Sequence, residues 1–306
     1  MAELSWPDER AAAAGEPHWN QPRSNLCLDF HGDPARAGLT VFSDGNHHMA
    51  LQQCLQAFLS QHAEIGDIFY ATTPPGVLLQ WLDAGSIVVG NLRLSLRPQL
   101  FISPPKILER VIAAGHATAQ AAFMRSRGNV LLVRKANPRN IRGVADLARA
   151  DVTVFLSNPL TETPSYQVYA ETLRRVAARQ GITLDFLDAA PDAPHPRVIF
   201  GERIHHRELP QALADGRADV APVFYHLALR YTRIFPELFE IVACDGGQSE
   251  PTPCPEQVIS DFNLALIGDG GRWGGALHEF LLSHESAEIY RYHGLTPDDK
   301  NTASRR

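Results

Sequence analysis

Residues 39–62 read LTVFSDGNHHMALQQCLQAFLSQH. The first four are a β-favouring run, apolar but for Thr40, the next six are polar turn formers, and the remainder places Leu51, Cys54, Leu55 and Phe58 on one face at helical spacing. A strand that exits through a polar loop into an amphipathic helix is one βα step. Two more follow: strand 67–70 with helix 77–83, and strand 100–103 with helix 106–114, the latter opened by Pro104-Pro105, where proline suits a first turn. The pattern continues through strands at 129–135, 152–156, 197–200, 219–224 and 262–267. Helices are expected at 144–147, 166–180, 209–215 and 276–292, with a glycine-rich loop at 268–275. Strands alternating with helices in this way predict an α/β fold.

Composition agrees. Of 306 residues, 44% are hydrophobic and 20% charged, enough apolar material for one large or two medium domains. Lys and Arg total 28 against 34 Asp and Glu, a formal charge of −6, and no run of five basic residues occurs, which argues against a nucleic-acid partner. No apolar run approaches the roughly 18–20 residues that a membrane-crossing helix needs. Cys27, Cys54, Cys244 and Cys254 stand far apart without a CxxC, a pattern of reduced thiols. Residues 1–15 lack the basic start, apolar stretch and cleavage site of a secretory leader, so the expected location is the cytoplasm as the chain stands, or the periplasm if a native leader is missing. Residues 1–37 and 297–306 read as loosely attached ends.

Several segments, in order, resemble the type II periplasmic binding proteins, most closely the molybdate-binding branch. They are 39–42 with its loop and helix, 98–103 followed by 108–115, 129–133, Ser157-Asn-Pro159 with Thr163-Pro-Ser-Tyr166, 214–220 with Val223-Phe-Tyr225, and 279–283 with 287–294. The resemblance implies a two-lobed fold with a hinge and an inter-lobe cleft: lobe 1 from 38–128 plus 232–296, lobe 2 from 129–231. It implies a solute-binding protein, not an enzyme, that captures a small oxyanion such as molybdate or tungstate without a cofactor, works with an ABC transporter permease or as a cytoplasmic sensor, and inserts in no membrane. The physics of the site is general: open α/β sheets bind ligands beyond the carboxyl ends of their strands, where helix N-termini suit anions.

The resemblance also places the ligand residues. The family hydroxyl of the first loop falls on Asn46, with Ser43 near; the second falls on Pro75, which cannot supply it, so Thr73 or Thr72 stands in. In lobe 2, Ser165 and Tyr166 open the long helix whose backbone holds the ligand in the family, and Tyr225 matches the family's tyrosine. Ser43 and Asn46 also suit plain helix capping.

Two histidine pairs are read from the residues and not from the resemblance: His47-His48 and His205-His206, the second followed by Arg207. As imidazolium groups they would grip an oxyanion, and as neutral rings they could ligate a metal, although no His-x3-His spacing or acidic companion names one. Solvated loop histidines are the plain reading. The glycine-rich 268–275 lacks P-loop order, and Cys27 with His31 lacks a third catalytic group. Two rivals stay open: an enzyme on the same scaffold acting on a small organic acid, and a protein that binds metal through the histidine pairs.

Overall fold

The computed structural model describes residues 29–89, 92–188, 195–202, 204–247 and 257–298. The chain forms two compact units, a discontinuous one made of residues on either side of Ser126–Ile259 and a continuous one made of Ser126–Ile259 itself.

The discontinuous unit begins with β1 (Phe30–His31) and β2 (Ala37–Ser43), then α1 (His48–Gln61), β3 (Asp67–Thr72), α2 (Pro75–Ala84), the hairpin β4 (Ile87–Val89) and β5 (Leu92–Leu94), β6 (Leu100–Ser103), α3 (Pro105–Ala113) and β7 (Ala121–Arg125). The continuous unit holds β8 (Asn129–Arg134), β9 (Val154–Leu156), α4 (Thr163–Arg179), β10 (Val198–Phe200), α5 (His205–Ala214), β11 (Val220–Phe224), α6 (Tyr225–Ile234) and β12 (Phe239–Val242). The chain then returns to the first unit with β13 (Asp261–Leu266), α7 (Gly271–Leu281), α8 (His284–Tyr292) and β14 (Thr296–Pro297).

The first sheet has the order β1-β3-β2-β6-β13-β7-β14, with β2 parallel to both β3 and β6. Its central strands are apolar on both faces. Val41, Ile68, Tyr70 and Ile102 pack under α1, α7 and α8, while Phe42, Phe69 and Phe101 pack against α2 and α3. Cover on both faces is why these strands read as continuous apolar runs and not as an alternation. The second sheet has the order β10-β9-β11-β8-β12, with β9 parallel to β10 and β11. Its core joins Val133, Val154, Leu156 and Val220 to Ala170, Leu173 and Val176 of α4.

Several expectations are corrected. The second crossing lies at Ile259–Ser260 and not near Tyr231, because β12 pairs antiparallel with β8 and keeps the chain in the continuous unit. Residues 30–37 are not a loose end: β1 pairs with β3, and Phe30 is buried. At the other end, β14 pairs with β7, which binds Thr296 and Pro297 into the sheet. The single helix expected over 276–292 is two, broken where Ser283 turns extended and its hydroxyl accepts the Ser286 amide. Its glycine-rich forerunner is partly the first turns of α7. Cys27, Cys254 and residues 1–28 lie outside the described residues. No helix among the described residues is long and apolar enough to cross a membrane.

Candidate functional site

In each unit, side chains that can hold an anion gather where parallel strands end and helices begin. In the discontinuous unit, Ser43, Thr72 and Ser103 are the last residues of β2, β3 and β6, and Thr73 follows directly. Ser43 pairs in register with Thr72 on one side and Ile102 on the other, so the three strand ends are aligned. All four hydroxyl residues are buried. The Ser103 hydroxyl has no hydrogen-bond partner among the described residues, whereas Thr72 Oγ1 lies 3.0 Å from His31 Nε2.

The first loop is more tightly built than a ligand loop of free donors. The Ser43 hydroxyl donates to the Asp44 carbonyl at 3.0 Å and lies 3.1 Å from His47 Nε2. The other nitrogen of His47 is 3.0 Å from the Tyr290 phenol, and the ring packs among Phe262, Tyr290 and Phe123. With 0% exposure and both nitrogens engaged, His47 is a core residue. His48 is likewise held, through Nδ1 to the Gly45 carbonyl at 2.9 Å. Asn46 is half-buried; its amide donates to the Asp44 carboxylate at 2.9 Å. Burial pushes the Asp44 carboxyl up to about 6 against the lowering effect of that amide.

In the continuous unit, Ser157 follows β9, Gly201 follows β10 and Tyr225 follows β11. Ser157 is wholly buried, and its hydroxyl has no hydrogen-bond partner among the described residues. Ser165 is half-buried in the first turn of α4. Tyr166 is turned into its own unit: its phenol donates to the Leu187 carbonyl at 3.2 Å. Tyr225 is buried at the start of α6, with the Arg127 guanidinium 5.0 Å from its ring centroid.

The second histidine pair is also structural in part. His205 is the first residue of α5 and 1% exposed; its ring stacks on Phe155 at 5.4 Å and rests against Tyr169. Nε2 faces the Phe155 carbonyl at 3.4 Å, while Nδ1 is buried with no partner among the described residues. Burial pushes its pKa down to about 3, so the ring is neutral. His206 is half-buried, and its carbonyl accepts the Tyr231 hydroxyl. The picture of solvated loop imidazoles is therefore corrected for His47 and His205.

Nor is the start of α5 open to a ligand. The His205 amide donates to the Glu162 carboxylate at 2.9 Å, and Glu208 accepts from the amides of Ile204 and Glu202 at 2.7 and 2.9 Å. Burial, with Glu208 nearby, holds the Glu162 carboxyl up at about 7, although the His205 amide pulls it down. Sequence reading missed Ser103, Ser157, Arg127 and Glu162. A signal for the two serines was there: each closes a strand one or two residues before a proline, in Ser103-Pro104 and Ser157-Asn-Pro159. Among the described residues, no group of three His, Cys, Asp or Glu side chains could hold a metal ion.

Residues 36–296 match the sequence profile of the family described as bacterial extracellular solute-binding proteins. The chain belongs to this family. Solute-binding proteins are not enzymes, and the family decides against the catalytic reading. The fold is that of two-lobed periplasmic binding proteins. Similar solved structures include the sulfate-binding protein SubI from Mycobacterium tuberculosis, at 18% identity, covering 87% of this chain and 89% of that one, with a TM-score of 0.62. A periplasmic molybdate-binding protein from Azotobacter vinelandii matches at 14% identity, covering 84% and 98%, with a TM-score of 0.58. A substrate-binding domain ascribed to a molybdenum ABC transporter from Clostridium difficile matches at 15%, covering 84% and 97%, with a TM-score of 0.57. A search of curated protein sequences found no match.

Proposed function

We propose that this solute-binding protein captures a small oxyanion and presents it to an ABC transporter permease. The observation that supports this reading best is a buried strand-end hydroxyl in each unit, Ser103 in one and Ser157 in the other, with no hydrogen-bond partner among the described residues. A buried polar group without a partner costs about 1–3 kcal/mol, and a ligand oxygen would remove that cost. Both serines end strands of a parallel pair, the place where open α/β sheets take ligands. Thr73 adds a proposed donor in the discontinuous unit, and Ser165, Tyr225 and the Arg127 guanidinium add theirs in the continuous unit. His47 and Tyr166, whose polar atoms are engaged inside their own units, are left out of that set. Sulfate and molybdate binders among the similar structures favour an oxyanion as the solute class.

The test is a thermal-shift series with molybdate, tungstate, sulfate, phosphate and small carboxylates. A ligand at 100 times its Kd stabilises by about 2.7 kcal/mol, a shift that is easily read. A rise with at least one oxyanion that shrinks in Ser157→Ala and Tyr225→Phe is expected. No rise with any oxyanion would remove the proposal. For the location, the family's extracellular description supports export over a cytoplasmic role. Fractionation of cells that produce the full-length protein decides between them.

A further inference from the structure

The continuous unit offers more hydrogen-bond acceptors at its strand ends than an oxyanion binder needs. His205 sets the pattern. A carbonyl only accepts, so the contact of Nε2 with the Phe155 carbonyl puts the ring proton on Nε2. Nδ1 is then a lone pair, buried and with no donor among the described residues. Ser157 lies two residues beyond Phe155, on whose ring His205 stacks. Side chains two apart along an extended strand share a face, so the unpartnered serine hydroxyl and the unpartnered imidazole nitrogen belong to the same face of β9 and its extension. The Glu162 carboxylate is anchored beside them on the His205 amide. The amides that would otherwise greet an anion at α5 are already taken by Glu162 and Glu208.

A bare tetraoxyanion such as sulfate or molybdate, fully deprotonated near neutral pH, has acceptors only. It could bond to Ser157 but would leave His205 Nδ1 unsatisfied and would have no proton to offer the oxygens of the Glu162 carboxyl. An oxyacid that keeps an O–H supplies what is missing, by donating that proton to the imidazole while its anionic oxygens accept from the Ser157 hydroxyl. We infer that the solute is such an acid, a hydrogen phosphate, phosphate monoester or hydroxycarboxylate, with His205 Nδ1 as the acceptor that recognises its hydroxyl. The inference rests on the oxyanion-capture reading and narrows it. The other unit is built in the same sense: Asp44, which ends the extension of β2, brings a carboxyl 6% exposed to that unit's strand ends.

Isothermal titration of the full chain near pH 7 tests this with inorganic phosphate, L-lactate, sulfate, molybdate and monofluorophosphate. The last carries the charge of hydrogen phosphate with fluorine in place of the hydroxyl. Phosphate or lactate should bind at least tenfold more tightly than sulfate and molybdate, and phosphate at least tenfold more tightly than monofluorophosphate. A response to phosphate alone points to phosphates, and one to lactate alone to hydroxycarboxylates. His205→Phe keeps the stack on Phe155 and should erase the preference for the hydroxyl-bearing ligand. Should that variant not fold, Glu162→Gln, which replaces a carboxyl by an amide donor, should raise sulfate affinity severalfold relative to phosphate. Equal or tighter binding of sulfate, molybdate or monofluorophosphate, or a preference untouched in the variants, would overturn this inference and leave oxyanion capture standing. Silence with all five would overturn oxyanion capture itself.

Discussion

The Tyr290 phenol lies 3.0 Å from Nδ1 of His47, which ties α8 to the loop that follows β2 across 243 residues of sequence. The directions of the hydrogen bonds can be read through the chain. The Ser43 hydroxyl donates to the Asp44 carbonyl, so it accepts from His47 Nε2, and Nδ1 in turn accepts from the Tyr290 hydroxyl. A histidine whose two nitrogens are fixed in this way sets the first loop and does not sample it.

Removing one end exposes the arrangement. Tyr290→Phe leaves a buried imidazole nitrogen without its donor, at a cost of about 1–3 kcal/mol. Urea denaturation should show a lower midpoint with an unchanged slope.

Asp44 carries a pH signature. Its folded pKa of about 6 lies above the ordinary 3.8 because burial disfavours the charge. The folded state therefore binds the extra proton between these values, and stability falls as pH rises from about 4 to 6 and then levels. The penalty above pH 6 is roughly 3 kcal/mol. Asp44→Asn keeps an equally good cap and should flatten that slope and raise stability at pH 7, as measured by urea midpoints over pH 4–8.

His205 acts in the opposite sense. Its folded pKa of about 3 lies below the ordinary 6.5, again through burial. The unfolded chain takes the proton first, so stability is lost as pH falls from about 6.5 towards 3, by roughly 5 kcal/mol in full. His205→Phe should shrink the loss of stability between pH 6 and 4. An acid limb as steep as that of the parent protein would contradict the burial of this ring.

At the crossing between the units, Gly128 has φ +101, and a Cβ built there would lie 1.6 Å from the Gln257 side-chain oxygen, which accepts the Asn129 amide at 2.9 Å. Gly128→Ala therefore meets both backbone strain and overlap and should destabilise by more than about 1 kcal/mol. With Gln257→Ala the overlap disappears, so the double variant should cost less than the sum of the two single ones.

Arg127, stacked over Tyr225, brings a positive charge to the proposed ligand edge. Arg127→Gln should weaken capture of a dianion tenfold or more, on the scale of one charge-assisted hydrogen bond of about 1.5–3 kcal/mol. The loss should shrink as salt rises, which titration at two ionic strengths would show.

Much of the fold was legible because its signals are local. The apolar runs 39–42 and 100–103, the helical spacing of Leu51, Cys54, Leu55 and Phe58, and the prolines that open α2 and α3 each act within a few residues. β7, β12 and α6 escaped notice. β12 is a four-residue strand, only Phe239 of which is fully buried, and its assignment comes from pairing with β8 more than 100 residues earlier. The break between α7 and α8 depended on one serine hydroxyl choosing a backbone amide. Ser43, Thr73, Ser165 and Tyr225 stand at or next to strand and helix ends.

What the side chains do at those ends was decided by tertiary structure. Sequence alone determined that strands alternate with helices, that turn formers follow the strands, and that two histidine pairs sit in the segments leading into helices. It could not tell a histidine that faces solvent from one that fills a core, since that depends on which rings arrive from elsewhere in the chain: Phe262 and Tyr290 for His47, Phe155 and Tyr169 for His205. Nor could it tell a free helix start from one filled by the protein's own carboxylate, as Glu162 fills that of α5 across 43 residues. Propensity and periodicity act over a few residues, whereas burial, pKa and hydrogen-bond satisfaction depend on groups that only folding brings together.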